Sequence, residues 1–394
     1  MSQPLATTLA RIQRTAFLVG GAGAALMGIG FALDRERFFQ AYLVAFLYVL
    51  GPALGALAIV MLHNMTGGAW GFAVRRLLEA AMRTLPFLAL AFLPIALGVH
   101  DLYEWSHAGA ESDPVLAHKA PYLNVPFFLV RAALYFALWS GLAMYMLKLA
   151  ERYDRRLSLK ALRRLKGTSG FGLGLYVLSM SFASFDWGMS LEPHWFSTIY
   201  GVHFIVGQAL STFCLAILAA ALLARHEPFS RWLAPGHFHD LGNLTMAFVL
   251  LWAYVSFSQF LIIWSGNLPE ENGWYLVRTG PVWQGLALAL VVCHFAAPFA
   301  ILLVRRSKEN VRVLSRVAAA LFLVRFLDTY WLIMPAFHGP ASRAPAYAPH
   351  WLDVVAPVTL LSLWLGLCVR QLHGRPLVSL QDARLLGRLE APVP

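Results

Sequence analysis

Arg325 and Asp328 stand three residues apart inside LFLVRFLDTYWLI (321–333), a stretch that is otherwise almost wholly apolar. On a helix that spacing puts both side chains on one face. There the arginine can hold the carboxylate ionised until a proton is delivered. An isolated charge at the centre of a bilayer costs at least ~2.5–3.5 kcal/mol on insertion scales, so these two residues need each other or a pathway. His294 lies in the middle of the preceding apolar segment. Ser256, Ser258 and Gln259 lie in the one before that, and Gln208, Ser211 and Thr212 one segment earlier again. Four successive apolar segments therefore carry polar groups able to line a hydrated proton path. The same residues also suit a static ion pair with polar helix–helix hydrogen bonds, and the sequence leaves both readings open. Arg131, a turn or so into another apolar segment, can snorkel to the interface or stand near a quinone head group.

A second group of residues is acidic and aromatic. Asp186, Glu192, His194 and Trp195 fall in DWGMSLEPHW (186–195), Glu270 and Glu271 follow Asn267, and His100 and Asp101 open HDLYEW (100–105). Trp187, Trp195, Trp264 and Trp274 suit an interfacial aromatic belt. Asp186, Glu192, His194, Glu270 and Glu271 are candidates for docking a basic partner or for proton exit. His100, His107 and His118 match no compact metal spacing, so no metal is expected. Haem needs histidine pairs at similar depth, and only His294 is deep, with His203 shallower. Cys214, Cys293 and Cys368 form no CxxC or CxxCH and are expected to be apolar packing residues. No nucleophile–base–orienter set emerges.

The elements that must position these groups are helices across a membrane. Charged residues make up 13% and hydrophobic ones 59% of the 394-residue chain, against about 25% and 45–50% in soluble domains. Stretches of about 20 apolar residues fall roughly at 16–33, 38–62, 79–99, 125–148, 170–185, 198–224, 241–264, 281–304, 317–335 and 351–369. Of the 31 lysines and arginines, 24 lie in every second gap between them, with eight acidic residues. The opposite gaps hold five basic residues (Arg35, Arg37, Lys119, Arg278 and Arg343) and 11 acidic ones. Positive loops stay in the cytoplasm, which places both termini there. The prediction is an all-α polytopic membrane protein of about ten transmembrane helices, one domain over 1–394, with a short segment 1–15 and a tail 370–394. The net charge of +11 then reflects sidedness and attraction to anionic lipid rather than nucleic-acid binding.

Smaller features fit that frame. The first apolar stretch follows Arg11 and Arg14 but is too long for a signal-peptide core and lacks a small-residue cleavage site, so it is expected to be a retained helix. Residues 150–166, with Leu157, Ala161, Leu162 and Leu165 on one face, resemble a helix lying in the interface plane, and residues 69–83 are expected to do the same. Gly20, Gly23, Ala24, Gly51 and Gly55 offer small-residue faces for close packing. Pro52, Pro94, Pro298 and Pro357 read as kinks. GFGLG (170–174) has no strand before it and is no nucleotide loop.

The wording of four segments carries a resemblance. SFASFDWGMSLEPHWFSTIYGVHF (181–204), HDLGNLTMAFVLLWAYVSFSQFLIIWSGNLPEENGWYLVR (239–278), HFAAPFAILLVRRSK (294–308) and DTYWLIMPAFH (328–338) resemble the ActF-type membrane subunit of bacterial alternative complex III, within the wider NrfD/polysulfide-reductase membrane-subunit family. That complex oxidises quinol and reduces a cytochrome c or a coupled oxidase. The resemblance implies two four-helix bundles, helices 2–5 and 6–9, with helices 1 and 10 flanking them. It implies a bacterial cytoplasmic-membrane location and no redox centre in this chain. Its partners would be iron–sulfur and multihaem cytochrome c subunits, a second NrfD-like membrane subunit and a terminal oxidase. In the ActC-type subunit a histidine and an aspartate on the periplasmic side of the first bundle hold quinol. His100 and Asp101 lie at a comparable depth here but are adjacent in sequence; with Arg131 they are the quinone-binding candidates. The competing expectations are a quinol-oxidising NrfD-like subunit and an unrelated secondary transporter, the latter without a clear internal repeat.

Overall fold

In the computed structural model, residues 3–68, 70–155, 159–227, 229–338 and 348–373 are described, and no strand occurs among them. Nine helical stretches there are long and apolar enough to cross a membrane: Leu5–Leu33, Arg35–Thr66, Val74–Leu97, Val125–Asp154, Ile199–Leu223, Pro235–Gly266, Pro281–Leu303, Val311–Phe337 and Leu352–Leu372. A tenth, Leu159–Trp187, has 29 residues, about 43 Å of helix, although Lys160, Arg163, Arg164 and Lys166 make its first turns polar. It runs antiparallel to the fourth span, because Arg131 meets Asp186, Trp139 meets Ser179 and Leu142 lies against Gly172. Among the described residues ten helices are therefore long enough to cross, and the protein is an all-α polytopic membrane protein.

Local chemistry sets the breaks. Asp34 caps the second helix by accepting from the Arg37 N–H at 2.9 Å, and Gly67 ends it at φ 74°, a conformation open to glycine without steric cost. Pro86 and Pro94 cannot donate backbone hydrogen bonds, and the third span is split after Trp70–Met82 into Leu85–Ala91 and Leu93–Leu97. In the eighth span Pro298 has no N–H for the carbonyl of His294, and its ring crowds that carbonyl. The helix widens there into a π turn, Val291–Ala296, between Pro281–Leu290 and Ala297–Leu303.

The second to fifth spans pack as one four-helix bundle and the sixth to ninth as another, while the first and tenth pair with each other and lie on the second. The seam between bundles is the second and fifth helices against the sixth. Gly55 makes it close: a Cβ there would strike the Thr212 hydroxyl and the Gln208 carbonyl. The apolar window of the second helix is 100% buried.

Two expectations are corrected. Trp70–Met82 does not lie in the interface plane; it packs against the second, sixth and tenth spans with Val74, Leu78 and Met82 buried. Its cations turn to carboxylates instead of lipid. Arg75 bonds Glu79 at 3.1 Å, Arg76 bonds Glu79 at 2.5 Å and also Asp154, and Arg83 reaches Glu151 at 3.1 Å. The described parts of 150–166 are not a separate surface helix either: residues 150–155 end Val125–Arg155 and residues 159–166 begin Leu159–Trp187; helices about 45 Å long overhang a ~30 Å hydrocarbon core. Leu157, Arg343 and the tail from 374 onward lie outside the described residues.

Candidate functional site

The second bundle closes around Asp328. The ninth span, Val311–Ile333, starts from an Asn310 cap whose side chain accepts from the N–H groups of Arg312 and Val313, and it carries Arg325 and Asp328 to mid-span. Asp328 is 1% exposed and Arg325 5%, and Arg325 Nη1 donates to Asp328. Trp252 of the seventh span donates its indole N–H to the same carboxylate at 3.2 Å. His203 of the sixth places Nε2 3.2 Å and 3.4 Å from its two oxygens. The other His203 nitrogen stands 3.5 Å from the Ser256 hydroxyl. Gly207, one turn below His203, makes room for the arginine: a Cβ there would meet the guanidinium. Three helices, the sixth, seventh and ninth, thus hold one buried carboxylate, with three donor groups facing it.

On the other side of Trp252 lies His294, at the π turn. Their ring centroids are 4.1 Å apart. His294 is fully buried and neither ring nitrogen has a hydrogen-bond partner. A buried polar group in that state costs about 1–3 kcal/mol unless something else satisfies it. π turns of this kind recur at functional sites.

Asp328 and His203 also form the inner wall of a cavity of about 750 Å³, which Ser256, Gln259, Arg278 and Trp331 line as well. Ser258 is half-buried and does not line it. Gln208 belongs elsewhere. It accepts from the Tyr176 hydroxyl at 2.6 Å and donates towards Met180 Sδ at 3.1 Å, and Thr212 bonds the Pro52 carbonyl at 3.3 Å, so these residues serve the seam between bundles. Sequence reasoning passed over His203, Trp252 and Gly207 as parts of the Asp328 site. His203 stood out only for haem, tryptophans read as belt residues, and nothing in a lone glycine marks what it faces.

The first bundle has its own buried pair. Arg131 donates to both Asp186 oxygens, at 2.8 and 3.0 Å, and Tyr135 donates to Asp186 at 2.8 Å. Tyr122 and Phe127 rings lie 3.9 and 4.3 Å from the guanidinium. Arg131 therefore turns inward rather than snorkelling. Asp186 is 0% exposed, which corrects its assignment to partner docking: a docking charge must reach the surface. His100 is exposed, and Asp101 pairs with Arg35 at 3.0 Å. No contact joins either of them to Arg131.

On the acidic face, Glu192 binds Arg278 at 3.0 Å, and His194 meets Asp113 at 2.7 Å. His194 and the N–H groups of Val115 and Leu116 hold the Asp113 carboxyl below its usual range. Glu270 is exposed and Glu271 partly so. Cys214 and Cys368 are buried, but Cys293 is exposed on the π turn instead of packed. Among the described residues no three His, Cys, Asp or Glu side chains cluster as a metal site.

Fold and site together define the class: a multi-pass helical membrane protein with a buried carboxylate–arginine–histidine centre beside a cavity. No protein-family model matches the chain, and no curated protein matches its sequence.

Proposed function

We propose that this chain is a membrane subunit, without a redox centre of its own, of a quinol:cytochrome c oxidoreductase of the alternative complex III type. In this reading it sits in the bacterial cytoplasmic membrane with both termini inside, beside a second NrfD-like subunit and partners carrying iron–sulfur clusters and haem c, and its second bundle moves protons past Asp328. The observation that carries the proton reading is the arrangement at Asp328. A carboxylate 1% exposed, gripped by Arg325 and within 3.2 Å of a histidine nitrogen, faces a cavity. His203 can hand a proton directly to Asp328 over that distance. Neutralising Asp328 weakens its hold on Arg325, and re-ionising restores it. His294, with two unpartnered nitrogens, stands on the far side of Trp252, whose indole N–H only donates and so does not itself carry a proton between them. The resemblance of 181–338 and the sided distribution of charge support the respiratory assignment and the orientation.

The test has two parts. The tagged protein should co-purify in a multi-subunit particle rich in c-type haem; a lone, haem-free polypeptide overturns the assembly reading. In proteoliposomes, the assembled Asp328→Asn complex should lose proton translocation, with electron transfer slowed only where the two are coupled. An assembled mutant that moves protons at the wild-type rate overturns the relay. A purely structural Asp328 would instead give poor assembly, since breaking a buried pair costs roughly 3–5 kcal/mol.

A further inference from the structure

The cavity beside Asp328 has a feature the proton reading does not use. Asp328 is already engaged by Arg325, Trp252 and His203. Arg278, at the rim, is spent on Glu192 and on the carbonyls of Trp274, Trp331 and Leu332. Gln259 is different: its side chain lines the space, is 6% exposed, and makes no hydrogen bond. The rest of the wall is largely hydrocarbon and aromatic ring. The mouth lies between the seventh and eighth spans, where Tyr254, Phe257 and Val291 are 67%, 61% and 54% exposed on a surface that faces lipid in a membrane. A ligand therefore enters sideways from the bilayer.

Depth identifies what that ligand is. The seventh span, Pro235–Gly266, has 32 residues, about 48 Å of helix against a ~30 Å hydrocarbon core. Centred, it overhangs by about 9 Å at each end. Gln259 lies seven residues before Gly266, about 10 Å from that end, and five residues before the belt residue Trp264, so within about 8 Å of the boundary where lipid chains meet their head groups. From there the cavity follows the eighth span inward from Gln284 to Phe295, about 16 Å of helix.

We propose that the cavity seats one acyl chain of an ester-linked membrane lipid, the ester carbonyl accepting from the Gln259 amide and the chain running inward towards Trp252 and Phe295. No free cation waits at the rim, so the head group is not selected by charge. The site stands whether or not Asp328 moves protons.

The intact protein, with the partners it purifies with, is reconstituted in phosphatidylethanolamine–phosphatidylglycerol vesicles doped with phosphatidylglycerol bearing a diazirine at the end of one acyl chain. After irradiation, label should concentrate on peptides 250–260 and 284–295, several-fold above Leu134 and Leu178, which are equally lipid-exposed at 61% each. Ala287→Trp, which fills the cavity, should bring those peptides to background. Gln259→Leu should reduce their labelling about fivefold, the equivalent of one ~1 kcal/mol hydrogen bond. Label spread evenly over the lipid-facing helices of the wild-type protein overturns the site, as does label indifferent to both substitutions. Displacement of the probe by an isoprenoid quinone, at a mole fraction where added phospholipid displaces none, also overturns it and gives the cavity to the quinone.

Discussion

Gly207 shows how much of the Asp328 centre rests on a single hydrogen atom. Any Cβ at 207 meets the Arg325 guanidinium, which is buried and bonded to Asp328 and so must shift against that bond. Gly207→Ala should cost roughly 1–3 kcal/mol, the usual range for overpacking, read as a lower denaturation midpoint of the purified protein. In an Arg325→Met background the same change should be nearly neutral, because the two residues then share nothing to couple; equal costs in both backgrounds would remove Gly207 from the site. Arg325, Asp328 and His294 were legible in the sequence because a charge or imidazole inside an apolar run is conspicuous whatever surrounds it. His203, Trp252 and Gly207 were not, since their part depends on the register of two helices, the sixth and seventh, against the ninth. Gln208 misled for the same reason: polarity in a span announces that a partner exists, but not whether it lies in the cavity or, as here, across the seam at Tyr176.

At the scale of the element, Pro298 is the residue to change. Its missing N–H and its ring explain the π turn at Val291–Ala296, which turns His294 towards Trp252 and leaves Cys293 exposed. Pro298→Ala lets the backbone close to an α-helix, which alters the rotation of residues 291–296 relative to their neighbours. Because Cys214 and Cys368 are buried, an apolar maleimide delivered through the bilayer reports on Cys293 alone. Its labelling rate should fall in Pro298→Ala, while an unchanged rate would separate the proline from the turn. The sequence marked Pro298 as a kink, and whether a membrane proline kinks a helix or widens it is decided by what packs around the freed carbonyl. The misreading of 69–83 has a comparable origin. Its amphipathic pattern was real, but Glu79, Glu151 and Asp154 supply in the folded protein the polar surroundings that water and head groups would otherwise provide.

For the whole molecule, the alternation of basic and acidic loops made ten spans legible, including the fifth, whose polar first turns hide it from a test of apolarity alone. The alternation also fixes the proposed orientation. In a variant lacking the three native cysteines, Lys160→Cys and Glu270→Cys should be modified by impermeant reagents from opposite sides, the first from the cytoplasm. Modification from one side would remove both the span count and the orientation. Pairwise packing of the spans was beyond the sequence, because every apolar face suits lipid as well as protein. That ambiguity has a temporal side at the second helix. It ends buried on every side, largely against the sixth and tenth spans, yet about 157 residues separate Thr66 from the end of the sixth helix at Leu223. At about 5–20 residues per second of synthesis, that is on the order of 8–30 s. For that interval the nascent second helix lacks its sixth-helix partner, so the window of Gly51, Pro52 and Gly55 that later meets the sixth helix must first be tolerable without it. Selection on that surface therefore acts twice, once during biogenesis and once in the finished protein.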